Sequence, residues 1–178
     1  MIALIMLSSC HVGCGVASTT TDAVTPTATD YTSSTMPDDF YIIYESSWGN
    51  ENINVILLDT QNNTIGAPAA FPDFCISTDF HIPHEALQTI HDAIVEYDIK
   101  SLGGLNMSQP PHLATTPRIF YKITFCMDGV IYSVVYDNGS VRLDSKTYPG
   151  LVKFHHLLNG YYQSTDEYKS FPRPPILT

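Results

Sequence analysis

The chain has 178 residues and a formal net charge of −10, with 44% apolar residues, 8 Phe, 11 Tyr and one Trp. That content supports a packed core and excludes a wholly disordered chain. The first 99 residues hold no Lys or Arg, and the first basic residue is Lys100. Phosphate-backbone binding needs clustered Lys and Arg, so no nucleic-acid partner is expected. The same deficit excludes electrostatic adhesion to anionic lipid.

An apolar run from Met1 ends at Leu7-Ser8-Ser9-Cys10. This tetrapeptide resembles the lipobox of bacterial lipoproteins, in which the cysteine becomes the lipidated N-terminus after cleavage. The resemblance implies export, residues 1–14 as leader, and a lipid anchor at Cys10. A signal peptide also carries a positive n-region. None precedes this run, so the recorded start is expected to lie inside the true signal peptide. Cys14 is the weaker lipid site, because His11 stands where a lipobox wants an aliphatic residue. A membrane-spanning helix would need about 20 apolar residues, and the run is too short. The alternative is an apolar terminus with two incidental cysteines. Within residues 15–36, the run from Ser18 to Thr35 is mostly Ser and Thr, with Pro26 and almost no large apolar residue. Such a stretch cannot bury enough surface to offset its ordering entropy, and it reads as a flexible tether.

A single domain is expected over residues 37–172. Phe40 to Tyr44 is aromatic and β-branched, and Trp48-Gly49-Asn50 marks a turn. Ile53 to Leu58 follows as a second strand, closed by the turn-rich Asp59 to Asn63. Phe74 to Ile76 makes a short third strand. A first helix starts near Pro83, with Leu87, Ile90, Ile94 and Tyr97 as its apolar stripe. Gly103-Gly104 and Pro110-Pro111 bound the loop after it. Ile119 to Met127 and Val130 to Tyr136 flank Asp128-Gly129, the preferred type I′ hairpin turn. Pairing Met127 with Val130 sets Phe125 opposite Tyr132, Ile123 opposite Val134 and Tyr121 opposite Tyr136. A slip of one residue would mix the faces. A second helix begins after Tyr148-Pro149-Gly150, with Leu151, Phe154, His155, Leu158 and Tyr162 as its stripe. Pro172-Arg173-Pro174-Pro175 forbids further helix, leaving 173–178 as an extended tail. The order β-β-β-α-β-β-α predicts an α+β fold: an antiparallel sheet of about five strands with two helices on one face.

Chemistry is sparser. His81, His84 and Glu85 form H-x-x-H-E, with His91 further along. Zincin helices need H-E-x-x-H, in which ligands four apart share a face. Pro83 also separates the two histidines, so no metal or cofactor is expected unless His155 or His156 joins them. There is no G-x-S-x-G elbow. Asp38, Asp39, Glu45, Glu51 and Asp59 read as a solvated strand edge, although paired carboxylates for glycoside hydrolysis depend on spatial separation. Asp59 to Asn63 matches a calcium loop only in composition, since Thr64 and Ala70 occupy the positions that need Gly and Glu. Sequons at Asn62, Asn106 and Asn138 mark polar turns. Cys75 and Cys126 could pair in an exported protein, provided their Cα atoms lie within about 7 Å; otherwise they are two separate buried thiols. Trp48, at a turn tip, could anchor a partner or stack on a sugar; core packing is the alternative.

Five segments carry a wider likeness: Asp39 to Ile43, Leu58 to Gly66, Ile94 to Leu102, Tyr121 to Phe125, and Glu167 to Pro172. Together they resemble a family of small uncharacterised lipoproteins from Gram-positive gut bacteria, whose pattern has Leu where this chain has Phe171. The resemblance brings no activity and no catalytic residue. The expected function is therefore a lipid-anchored, non-catalytic binding or interaction module on the cell surface. Its partner would be an envelope protein, a peptide or a cell-wall component. The alternatives are an envelope-acting hydrolase using Asp or Glu residues distant in sequence, and a purely structural lipoprotein.

Overall fold

β-branched and aromatic runs punctuated by turn residues build one antiparallel sheet. In chain order the elements are β1 (Tyr41–Trp48), β2 (Ile53–Asp59), β3 (Thr64–Pro68), β4 (Phe74–Ser77), α1 (His84–Glu96) and a 3-10 helix (Ile99–Leu102). They continue with β5 (Ile119–Met127), β6 (Val130–Asp137), α2 (Pro149–Ser164) and α3 (Asp166–Ser170). This computed structural model describes residues 35–48, 53–69, 73–106, 118–137 and 146–172. The leader, Cys10, the Ser/Thr-rich stretch, Glu51, Asn138 and the Pro-rich tail lie outside the described residues. The strands lie in the order β4-β3-β2-β1-β5-β6, and every neighbouring pair is antiparallel. The α+β architecture is the expected one, with six strands instead of about five.

The added strand is β3. Thr64-Ile65-Gly66-Ala67-Pro68 contains two residues that weaken a strand and reads as a loop. It pairs all the same, because Gly66 leaves room for the Phe74 ring: a Cβ there would meet Phe74 Cε1 at 2.5 Å. Pro68, which has no N–H to give, stands at the strand's end.

The β5–β6 hairpin holds the register anticipated, with Met127 opposite Val130, Phe125 opposite Tyr132, Ile123 opposite Val134 and Tyr121 opposite Tyr136. Asp128 and Gly129 both adopt positive φ, 53° and 73°, as a type I′ turn requires. Asp39 pins this turn from across the sheet, its carboxylate accepting from the Gly129 N–H and from the Cys126 thiol. The Gly129 amide holds that carboxyl below the ordinary carboxylate value.

One face of the sheet is buried. Ile42 and Tyr44 of β1, Leu58, Ile65, Ile123, Phe125, Val134 and Tyr136 meet Ile90 and Ile94 of α1. From α2, Leu151, Phe154, Leu158 and Tyr162 complete the cluster. Both helical stripes are the ones the periodicity predicts. Pro149 takes the first helical position of α2, and Gly150 beside it allows close approach to α1: a Cβ there would sit 2.5 Å from the Tyr97 carbonyl oxygen. The Tyr162 hydroxyl donates to the Gly66 carbonyl at 2.6 Å, tying α2 to β3. Thr165 caps α3 by accepting from the Tyr168 N–H. Among the described residues no helix is long and apolar enough to cross a membrane.

The disulfide left open by the sequence is closed off by topology. Cys75 lies in β4 and Cys126 in β5, with β3, β2 and β1 between them. Four inter-strand steps of about 4.8 Å give roughly 19 Å, far beyond disulfide reach. Both thiols are free. That of Cys126 is pushed up, first by burial and then by the carboxylate of Asp39.

Candidate functional site

Among the described residues, two places that gather polar side chains differ in character. The first is a buried cluster under α2. Because side chains alternate along strands, Tyr44 of β1, Tyr121 of β5 and Tyr136 of β6 all face the helix layer. His155 enters from α2, and its Nδ1 lies 3.0 Å from the Tyr136 hydroxyl and 3.3 Å from the Tyr44 hydroxyl. Tyr121 stacks on Tyr136 at 5.3 Å and meets the edge of the His155 ring at 4.7 Å.

The protonation pattern follows from burial. Desolvation raises the Tyr44 and Tyr136 phenols above their ordinary value, and neighbouring phenols add to it. Both therefore keep their protons, and in the tautomer whose ring proton resides on Nε2, Nδ1 accepts from the nearer phenol, Tyr136. Burial first, and the adjacent His156 second, together lower His155 to about 4. A neutral ring whose Nδ1 is held by neighbouring phenols is a weak base and has no activated nucleophile beside it. Chemically the cluster is a hydrogen-bonded brace between helix and sheet. Ser46, opposite Tyr121 on the same face, has a buried Oγ without a hydrogen-bond partner.

The second place is a cleft of about 320 Å³ between α1 and the β5–β6 turn. Ile94, Val95 and Met127 give it apolar walls; Asp98, Lys100 and Asp128 supply charge. Two of these acids owe their position to unusual backbone, since Asp98 and Asp128 have φ of 52° and 53°. Asp is among the residues that tolerate the left-handed region. Asp98 follows Tyr97, the C-cap of α1, and opens the 3-10 helix; Asp128 opens the hairpin turn. Lys100 also reaches over the Tyr132 ring at 5.4 Å. His91, buried on α1, closes the cleft, with its ring edge-on to Phe40 at 5.2 Å. Its Nδ1 lies 3.4 Å from Asp92 Oδ1.

The residues singled out from sequence are scattered. His81 and His84 are exposed at the start of α1, His91 lines the cleft, and His155 belongs to the tyrosine cluster. Among the described residues no three His, Cys, Asp or Glu side chains are arranged to hold a metal ion. Of the acids expected on a solvated strand edge, Glu45 of β1 and Asp59 of β2 lie instead on interior strands and serve local structure. Glu45 pairs with Lys122 at 3.3 Å across β1 and β5. Asp59 accepts from the Gln61 and Asn62 amides, both at 3.0 Å, and from Asn62 Nδ2 at 2.7 Å, so the calcium-like composition is a self-satisfied turn. Trp48 is not packed into the core; it ends β1 with 43% of its surface exposed.

The cleft was not legible as a site, because its walls come from a helix, a 3-10 turn and a hairpin separated along the chain. The one signal was Asp128-Gly129, which fixed the hairpin without showing what lay against it. Compared with protein-family models and with curated proteins, the chain matches none.

Proposed function

We propose that the chain is a lipid-anchored, exported binding module that takes its ligand in the cleft between α1 and the hairpin turn. The carrying observation is the cleft itself, in which aliphatic walls meet two carboxylates and one ammonium. A mostly apolar concavity with a few placed polar groups is the usual form of a ligand site. Two acids against one base favour a ligand with an amino group beside a small apolar side chain. A peptide or a peptide-bearing cell-wall component has that chemistry. The His155 cluster supports the non-catalytic reading, since its groups are tied to one another. The anchor rests on Leu7-Ser8-Ser9-Cys10.

One experiment in cells tests both parts, with a positively charged n-region placed ahead of the apolar run. A photo-crosslinking amino acid replaces Val95, which is 48% exposed; a control probe replaces exposed Gln163 on α2. The Val95 probe is expected to give a light-dependent adduct with an envelope peptide or cell-wall component that weakens in Asp98→Asn and Asp128→Asn. Cys10→Ala is expected to release the protein from the membrane fraction. Equal adducts from Val95 and Gln163 would refute the cleft. Turnover of cell-wall substrate lost on neutralising one carboxylate would refute the non-catalytic reading, and membrane attachment unchanged in Cys10→Ala would refute the anchor.

A further inference from the structure

The sheet has two edges, and they are not equivalent. On β6 the outward backbone groups are partly taken: the Ser133 carbonyl accepts from the Gly104 N–H at 2.8 Å, and the Val135 N–H donates to Leu105 at 3.0 Å. On β4, among the described residues, they are open. The Ala69 N–H donates to the Asp73 carbonyl, which fixes the alternation: Asp73, Cys75 and Ser77 turn their backbone groups toward β3, while Phe74 and Ile76 turn theirs outward. Among the described residues nothing pairs with that outer edge. Ile76 is 55% exposed. An uncovered apolar edge without Lys, Arg or Pro inside it is a template for strand addition.

We infer that β4 is a homodimer edge, at which two copies of this chain join antiparallel with Cys75 on the two-fold axis. The strand's own sequence argues for a second copy as the occupant. With Cys75 opposite the partner's Cys75, Phe74 faces the partner's Ile76, and the Asp73 carboxylate faces the hydroxyl of the partner's Ser77. Every pairing is apolar with apolar or acceptor with donor, and the two-fold repeats each one. The neighbouring registers fail. A shift that sets Phe74 opposite the partner's Phe74 places Ile76 against the partner's Pro72, which has no N–H for the ladder. A shift that sets Ile76 opposite the partner's Ile76 brings Asp73 against the partner's Asp79, two like charges directly across. The favoured register alone keeps the four outward groups of Phe74 and Ile76 paired without a charge clash. A chain of net charge −10 meets its copy here through a strand that carries no charge between Phe74 and Ser77. Such a contact is isologous and closes on itself, so it stops at two.

The register supplies its own reporter. Cys75 points its backbone at β3, so the Cys75 pair is a non-hydrogen-bonded one, with Cα atoms about 4.5 Å apart. That separation lies within disulfide range, about 4.4–6.8 Å. Diamide, an azo oxidant, accepts two electrons and two protons from the two thiols and becomes the hydrazine as the S–S bond forms. The full-length chain treated with diamide under native conditions is expected to give a covalent dimer whose digest contains a Cys75–Cys75 peptide. Cys75→Ser is expected to abolish that product while leaving a concentration-dependent dimer in sedimentation equilibrium. Ile76→Lys, on an exposed side chain, is expected to weaken self-association at least tenfold with circular dichroism unchanged. A wild-type chain monomeric at several hundred micromolar would overturn the proposal. So would a dimer indifferent to Ile76→Lys, or cross-linking exclusively through other cysteines.

Discussion

Phe154→Ala should cost about 3–5 kcal/mol, the range for truncating a fully buried phenylalanine. The Phe154 ring has no exposed surface and sits where α2 meets the sheet, within the cluster that joins Ile123, Phe125 and Val134 to α1. Both terms of the penalty apply, the lost transfer free energy and the cavity that rigid strands beneath cannot close. A domain of this size is stable by roughly 5–15 kcal/mol, so the loss is a large share of the total. Urea denaturation measures it as a lower midpoint at unchanged slope. Gln163→Ala, exposed on the same helix, should change the stability by less than about 0.5 kcal/mol. Equal effects at the two positions would show that α2 does not seat on the sheet as described.

Acid should weaken the fold through His155. The folded ring resists the proton until about pH 4, whereas an unfolded histidine takes it near 6.5. Between those values the unfolded state binds the extra proton. The stability His155 contributes is therefore complete above about pH 6.5, drains as the pH falls, and is gone below about 4. A difference of this size corresponds to about 3 kcal/mol. Protonation would also turn Nδ1 from acceptor to donor and leave the Tyr136 hydroxyl without its acceptor. Stability curves at pH 7 and pH 4 measure the loss, and His155→Phe isolates it. The variant should be weaker at pH 7, with two buried hydroxyls unpartnered, yet lose about 3 kcal/mol less than wild type on acidification. A His155 ring that titrates near 6.5 in the NMR spectrum would contradict the account.

These two sites also mark how far the sequence could be read. Phe154 and His155 belong to a helical stripe visible as three- and four-residue spacing, and the hairpin register followed from Asp128-Gly129 plus alternation. Both signals are local, set by one turn or one periodicity. β3 escaped because its pairing depends on the Phe74 ring filling the space over Gly66, a contact with another strand. The tyrosine cluster escaped for a related reason. Tyr121 and Tyr136 were legible as a cross-strand pair, but nothing in the chain announced that Tyr44 and His155 would meet them. The Cys75–Cys126 question turned on strand order, which pair spacing alone does not encode.

The position of β1 bears on how the molecule assembles. Made first among the strands, it becomes the middle of the sheet, with β2 on one side and β5 on the other. Its β2 side closes through a short loop. Its β5 side waits for partners far along the chain; Asp39 and Gly129, which meet beside that seam, are 90 positions apart. Closing so long a loop costs entropy before the seam returns any contact energy. The molecule thus has two locally wired runs, β1 to α1 and β5 to α2, joined by the β1–β5 seam and by the helix α2, which reaches Tyr44 of β1 and Gly66 of β3. A chain emerging N-terminus first carries an unfinished apolar ribbon until the second half arrives, so the β1–β5 seam is expected to form late and to be the place most open to mispairing.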